Sequence, residues 1–122
     1  MKTNIRILYV EDEPSIAQLL TSGLGLFGMT VNPIYMAAED FLQNRDNDEC
    51  KEADVLVFDI RLPRMTGLEL ANKLREIGEK RPFVLVSAWP APTQEELERL
   101  GAKFLPKPFD FADVVQTIQS LA

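Results

Sequence analysis

Short apolar runs alternate with longer amphipathic stretches along the 122 residues. Ile5–Val10 is rich in β-formers and reads as a strand. Val55 to Phe58 is an unbroken apolar run bounded by Asp54 and Asp59, the mark of a strand buried on both faces. Phe83 to Val86 is a second such run and ends in Ser87, while 103–105 forms a brief strand. Met29–Tyr35 is also strand-like but is interrupted by Pro33. Proline cannot donate to a ladder, so this strand belongs at a sheet edge.

Between these runs the period changes to that of a helix. After Glu11-Asp12-Glu13, Pro14 suits a first helical position and the acids suit the positive end of the helix dipole. Ile16, Leu19, Leu20, Leu24 and Phe27 then share one helical face, with Gly28 as terminator. A helix over 37–43 is weakly signalled, and 44–51 reads as a charged, solvated loop. Thr66-Gly67-Leu68-Glu69 is a capping box for a helix running to about Ile77 and stopped by Gly78 and Pro82. Beyond a proline-stiffened loop at 88–92, Thr93-Gln94-Glu95-Glu96 caps a short helix to Leu100, closed by Gly101. Asp110 is a credible N-cap for a last helix carrying Val114, Val115, Ile118 and Leu121. About five strands thus alternate with five helices. Such alternation predicts an α/β fold, a doubly wound parallel sheet in three layers with right-handed crossovers, as one domain over 1–122.

Composition narrows the chemistry. Nineteen acids against thirteen bases give a net charge of −6, which repels a phosphate backbone, so direct nucleic-acid binding is not expected. No apolar run is long enough to cross a bilayer, and the N-terminus runs directly into the first strand with no room for a signal peptide. A cytoplasmic location is the expectation, and the single cysteine, Cys50, fits a reducing compartment. Histidine is absent, which excludes Ser-His-Asp and Cys-His catalysis, His-ligated zinc and a phosphohistidine carrier.

In a parallel sheet all C-terminal strand ends face one edge, where open α/β folds place their chemistry. That edge should collect Glu11, Asp12, Asp59, Ser87 and Lys107. Packed carboxylates repel one another and titrate higher unless a cation neutralises them, and an all-oxygen donor set suits Mg²⁺. A carboxylate can also accept a phosphoryl group as an acyl phosphate when a metal and an ammonium offset the developing charge. Lys107 is the candidate ammonium. Ser87 offers a hydroxyl that can bond a phosphoryl oxygen only after transfer.

Tyr9-Val10-Glu11-Asp12-Glu13-Pro14, Phe58-Asp59 with Pro63 and Thr66-Gly67, Ser87-Ala88, and Leu105-Pro106-Lys107-Pro108-Phe109 resemble the receiver domain of two-component response regulators, in order and over nearly the whole chain. The resemblance implies a (βα)5 flavodoxin-like sheet of strand order 2-1-3-4-5. It makes Asp59 the phosphoacceptor and Glu11, Asp12, Asp59 and the backbone carbonyl of Arg61 the ligands of Mg²⁺, for which Mn²⁺ can substitute. Lys107 would contact the phosphoryl group, Ser87 would reorient toward it, and Lys107-Pro108 would be a cis bond. The implied donor is a histidine kinase or histidine phosphotransfer protein. Output would pass through the face built from Gln94–Leu100, 103–105 and 110–121, to a downstream protein or a C-terminal output domain, with a phosphorylation-dependent homodimer left open. The implied activity is that of a phosphoacceptor, not an enzyme on other substrates, beyond autophosphorylation from small donors and autodephosphorylation. The competing reading is a phosphate-independent adaptor with the same fold.

Phe104 stands where the family has an aromatic switch residue, commonly tyrosine, so its hydroxyl bond is lost. Arg61 and the bulky Trp89 are expected at the site rim, slowing attack of water on the acyl phosphate. Two other readings fail on their residues. Gly23-Leu24-Gly25-Leu26-Phe27-Gly28 spells GxGxxG but closes a helix instead of opening one, unlike a dinucleotide fingerprint. Arg61, two positions after Asp59, is not the acid that haloacid-dehalogenase phosphatases place there.

Overall fold

A five-stranded sheet of order β2-β1-β3-β4-β5 organises the chain: β1 Ile5–Val10, β2 Met29–Tyr35, β3 Val55–Asp59, β4 Phe83–Ser87 and β5 Ala102–Pro106. The computed structural model describes residues 4–88 and 91–122, and every strand pair in it is parallel. Helices α1 Pro14–Gly25, α2 Ala38–Asn44, α3 Asp48–Lys51, α4 Gly67–Glu76, α5 Gln94–Leu100 and α6 Phe111–Leu121 connect the strands or close the chain. The three-layer doubly wound architecture predicted from the alternation of runs is the one observed.

Residue parity along the buried strands divides the core in two. Ile7, Val31, Val57 and Val84 pack with Ala17, Leu20 and Leu24 of α1 and with Val114, Val115 and Ile118 of α6. Leu8, Leu56, Phe58 and Leu85 pack on the other face with Phe41 of α2 and with Leu70, Ala71 and Leu74 of α4. β1, β3 and β4 therefore have apolar side chains on both faces, which is why their sequences read as continuous runs.

Three expectations are corrected. Among the described residues there are six helices, because the last part of the predicted polar loop makes one turn, α3, which buries Cys50. The buried face of α1 is Ala17, Leu20 and Leu24, while Leu19 is 63% exposed and Phe27, beyond the helix end, is 53% exposed. Gly28 does reverse the chain there, at φ 78°, but after a further turn. Finally, Pro33 does not interrupt β2. The register passes from Ile7 opposite Val31 to Tyr9 opposite Ile34, so the strand absorbs Asn32 and Pro33 as a bulge on the sheet edge.

The predicted caps are in place. Thr66 and Thr93 each accept from the backbone N–H three residues on, and Glu69 and Glu96 return the bond. Asp110 caps α6 by accepting from the N–H of Asp113 at 2.9 Å. At the start of β4, buried Glu79 accepts from Arg81 Nη2 at 2.8 Å, Arg81 Nε at 2.9 Å and the N–H groups of Lys80 and Arg81. Arg81 Nη1 in turn donates to the carbonyls of Cys50 at 2.6 Å and Ala53 at 3.1 Å, joining that loop to the segment entering β3.

Candidate functional site

Three strand ends and one loop build the site. Glu11 and Asp12 follow β1 directly, and the N–H of Glu11 donates to the carbonyl of Tyr35 at 2.9 Å, which ties this turn to the end of β2. Asp59 closes β3 beside Val86 of β4, and the next residue, Ile60, donates its N–H to the Val86 carbonyl at 2.9 Å. Lys107 follows β5. Its N–H donates to the carbonyl of Ser87 at 3.0 Å, and its bond to Pro108 is cis.

Glu11, Asp12 and Asp59 each offer a carboxylate oxygen, and the three oxygens lie within 4.8 Å of one another. Lys107 Nζ donates to Asp59 Oδ2 at 2.8 Å and to Glu11 Oε1 at 2.9 Å, so one ammonium bridges residues 48 and 96 positions away in sequence. Asp59 Oδ1 accepts the N–H of Arg61 at 3.0 Å. Asp59 is 4% exposed and Glu11 0%, while Asp12 is half-buried and faces a cavity of about 360 Å³ shared with Asp59, Arg61, Ala88 and Lys107.

Electrostatics follow from this burial. Desolvation pushes the Glu11 carboxyl upward, only partly offset by the Lys107 and Tyr9 hydrogen bonds. Burial pulls the Lys107 ammonium down, but its bonds to Asp59 and Glu11 outweigh that and the net shift is upward. The cluster therefore carries more anionic capacity than one ammonium neutralises. An all-oxygen donor set of this size, open to solvent on one side, fits a divalent cation, and Glu11, Asp12 and Asp59 are the residues that would hold it.

The remaining predicted residues lie around the cluster or further along the sheet. Ser87, fully buried, ends the strand next to Asp59. Arg61 is exposed at the rim. Phe104 sits further down β5, opposite Leu85, half-buried in a groove with Leu97 and Leu121. Trp89 and its neighbour Pro90 lie outside the described residues.

Three supporting residues escaped the sequence reading. Tyr9 donates its hydroxyl to Glu11 Oε1 at 2.8 Å inside the core. Spacing was the available signal, since residues two apart on a strand face the same side. Glu39 of α2 accepts the Met65 N–H at 3.3 Å and pairs with Arg64, anchoring the loop after Asp59 across 26 residues, a link no local pattern announces. Gly67 stands in the sequence as part of its capping box and of the Thr66-Gly67 receiver motif, neither of which announces the close approach it permits. A methyl group there would overlap the carbonyl oxygen of Asp59 and lie 2.8 Å from its carbon, so glycine lets α4 start directly against β3.

Among the described residues no helix is long and apolar enough to cross a membrane. Comparison with known proteins agrees with this geometry. The family pattern described as the response regulator receiver domain matches residues 7–119. The response regulator MprA of Mycobacterium tuberculosis (strain H37Rv) is 29% identical over 121 residues, which cover 97% of this chain and 50% of the relative. MprA of Mycobacterium avium is 29% identical over 120 residues, with 96% and 50% covered. The chain thus spans about half the length of the curated relatives it matches. Among solved structures, a CheY-like receiver domain from Methylobacillus flagellatus superposes with a TM-score of 0.82 at 27% identity, covering 97% of this chain and 98% of that one. The chemotaxis response regulator CheY4 of Vibrio cholerae gives 0.81 at 25% identity, covering 98% and 100%. With the family pattern matched from β1 into α6, the strand order shared and an acidic cluster at the strand ends, this chain belongs to the response regulator receiver domain family.

Proposed function

We propose that Asp59 accepts a phosphoryl group from a histidine of a partner kinase or phosphotransfer protein, in a Mg²⁺-dependent reaction, and that the acyl phosphate is the signal. The observation that carries this reading is Lys107 Nζ held between Asp59 and Glu11, at 2.8 and 2.9 Å, beside a third carboxylate at the mouth of a parallel sheet. A carboxylate oxygen of Asp59 attacks phosphorus, the phosphorus–nitrogen bond to the donor imidazole breaks, and the imidazole leaves with a proton from solvent. Lys107 neutralises charge on the transferred oxygens. Mg²⁺, when bound, would supply further neutralisation and orientation of those oxygens, with the Arg61 carbonyl as an added ligand.

A donor of protein size is supported by the surface next to Lys107. Ile16, Leu19, Ala88, Pro108 and Phe109 form an apolar depression of about 370 Å³ at the edge of the site, large enough to seat side chains of a docking protein. Ser87 would turn toward a phosphoryl group on Asp59, the end of the neighbouring strand. Its movement would pass through the loop into α5 and reshape the α5–β5–α6 face, with Phe104 in the groove between them. A downstream protein or an output domain beyond this stretch would read that face. The domain transfers nothing to a second substrate, and water slowly returns it to its resting state past Arg61 at the site rim.

Incubation with Mg²⁺ and a small acyl-phosphate donor tests the proposal. The expected result is a mass gain of one phosphoryl group, absent in Asp59→Asn and absent with a chelator, together with a change in Trp89 fluorescence. Beryllofluoride should give the same optical change. No mass gain and no optical change in the wild type would overturn the proposal and favour the adaptor reading.

A further inference from the structure

Tyr9 has no place in the phosphoryl chemistry above, yet it is a fully buried phenol in contact with the acidic cluster. Glu11 Oε1 accepts two donors, the Tyr9 hydroxyl at 2.8 Å and Lys107 Nζ at 2.9 Å, which uses both lone pairs of that oxygen. Oε2 accepts the N–H of Glu13 at 3.3 Å and keeps a lone pair for a further partner, and one carboxylate oxygen of Glu11 lies within 4.8 Å of oxygens of Asp12 and Asp59. The tyrosine, together with Lys107, thus commits Oε1 and fixes the orientation of the Glu11 carboxylate.

Glutamate needs such a device more than aspartate does. It has an additional side-chain torsion, and an unrestrained carboxylate must lose that freedom when it binds a cation. Tyr9 is itself immobilised, packed on β1 among the core residues that face α1 and α6. We propose that Tyr9 is a positioning residue that holds Glu11 in the rotamer that presents Oε2 to a divalent cation, so that the metal meets a preset ligand. This inference rests on the metal reading above and goes beyond it by assigning the affinity partly to a residue that never touches the ion. Groups that orient metal ligands from behind are worth roughly 10–100-fold in affinity.

Calorimetric titration with Mg²⁺ alone, at neutral pH and constant ionic strength, tests it on five proteins: wild type, Tyr9→Phe, Tyr9→Met, Glu11→Asp and the Tyr9→Phe/Glu11→Asp double variant. Tyr9→Phe removes only the hydroxyl, and Tyr9→Met fills the space without a donor. Both should bind Mg²⁺ about tenfold more weakly than the wild type. The shorter Glu11→Asp side chain falls short of the phenol, so in that background Tyr9→Phe should change the affinity by less than about twofold. That coupling is what a purely structural tyrosine would not produce. Affinities equal to or tighter than the wild type in both single variants overturn the proposal. So does an equal loss in both backgrounds, which would assign the effect to packing, and so does failure of both single variants to fold. A wild type that takes up no Mg²⁺ overturns the metal reading itself, and this inference falls with it.

Discussion

Glu79→Gln offers a test of how the sheet is held at the end remote from the site. The carboxylate is 7% exposed and is bonded by Arg81 and two backbone N–H groups, with Arg45 Nη2 at 3.4 Å. Those bonds, Arg81 first, outweigh burial and hold its pKa at about 2, against an ordinary 4.5. Each pH decade of depression corresponds to about 1.36 kcal/mol, so the charged form contributes about 3 kcal/mol at neutral pH. Because folding lowers this pKa, the contribution is complete above the unfolded value of 4.5 and is lost as pH falls toward about 2. Glutamine keeps the shape and mimics the protonated acid. Urea unfolding at pH 7 should show the variant about 3 kcal/mol less stable, a midpoint shift of about 2 M for a slope near 1.5 kcal/mol/M. At pH 3 the gap should fall to about half or less. A gap below about 0.5 kcal/mol at pH 7, or one of the same size at both pH values, would refute the assignment of this ion pair as a stabilising anchor.

Removing the Lys107 ammonium in Lys107→Met leaves Asp59 and Glu11 without their cation, so Mg²⁺ should bind at least about threefold more tightly by calorimetry while phosphoryl uptake from a small donor slows. Gly67→Ala should push α4 away from the Asp59 carbonyl, lowering unfolding free energy by about 1–3 kcal/mol in urea and reducing phosphorylation of Asp59.

Much of this protein was legible from local chemistry because its central strands are buried on both faces. Such strands must be apolar throughout, so Val55 to Phe58 and Phe83 to Val86 announce themselves without a template. Caps are equally local, and Thr66, Thr93 and Asp110 satisfy backbone donors within three residues of themselves. The α1 face was harder. Leu19 has the right spacing for a core position, but the sheet and α6 meet the helix on the side of Ala17 and Leu20, leaving Leu19 beside the site rim.

Residue order alone settled the alternation of strands and helices, and hence that every strand's C-terminal end faces one edge. It could therefore nominate Glu11, Asp12, Asp59, Ser87 and Lys107 as neighbours. The fold decided how they meet: which oxygen of Asp59 takes the ammonium, that Tyr9 stands behind Glu11, and that Glu39 anchors the loop at Met65. The division has a physical origin. Helix caps and strand burial are set by a residue and its near neighbours, whereas a hydrogen bond across 96 positions exists only once two surfaces have packed and fixed its length to a fraction of an ångström.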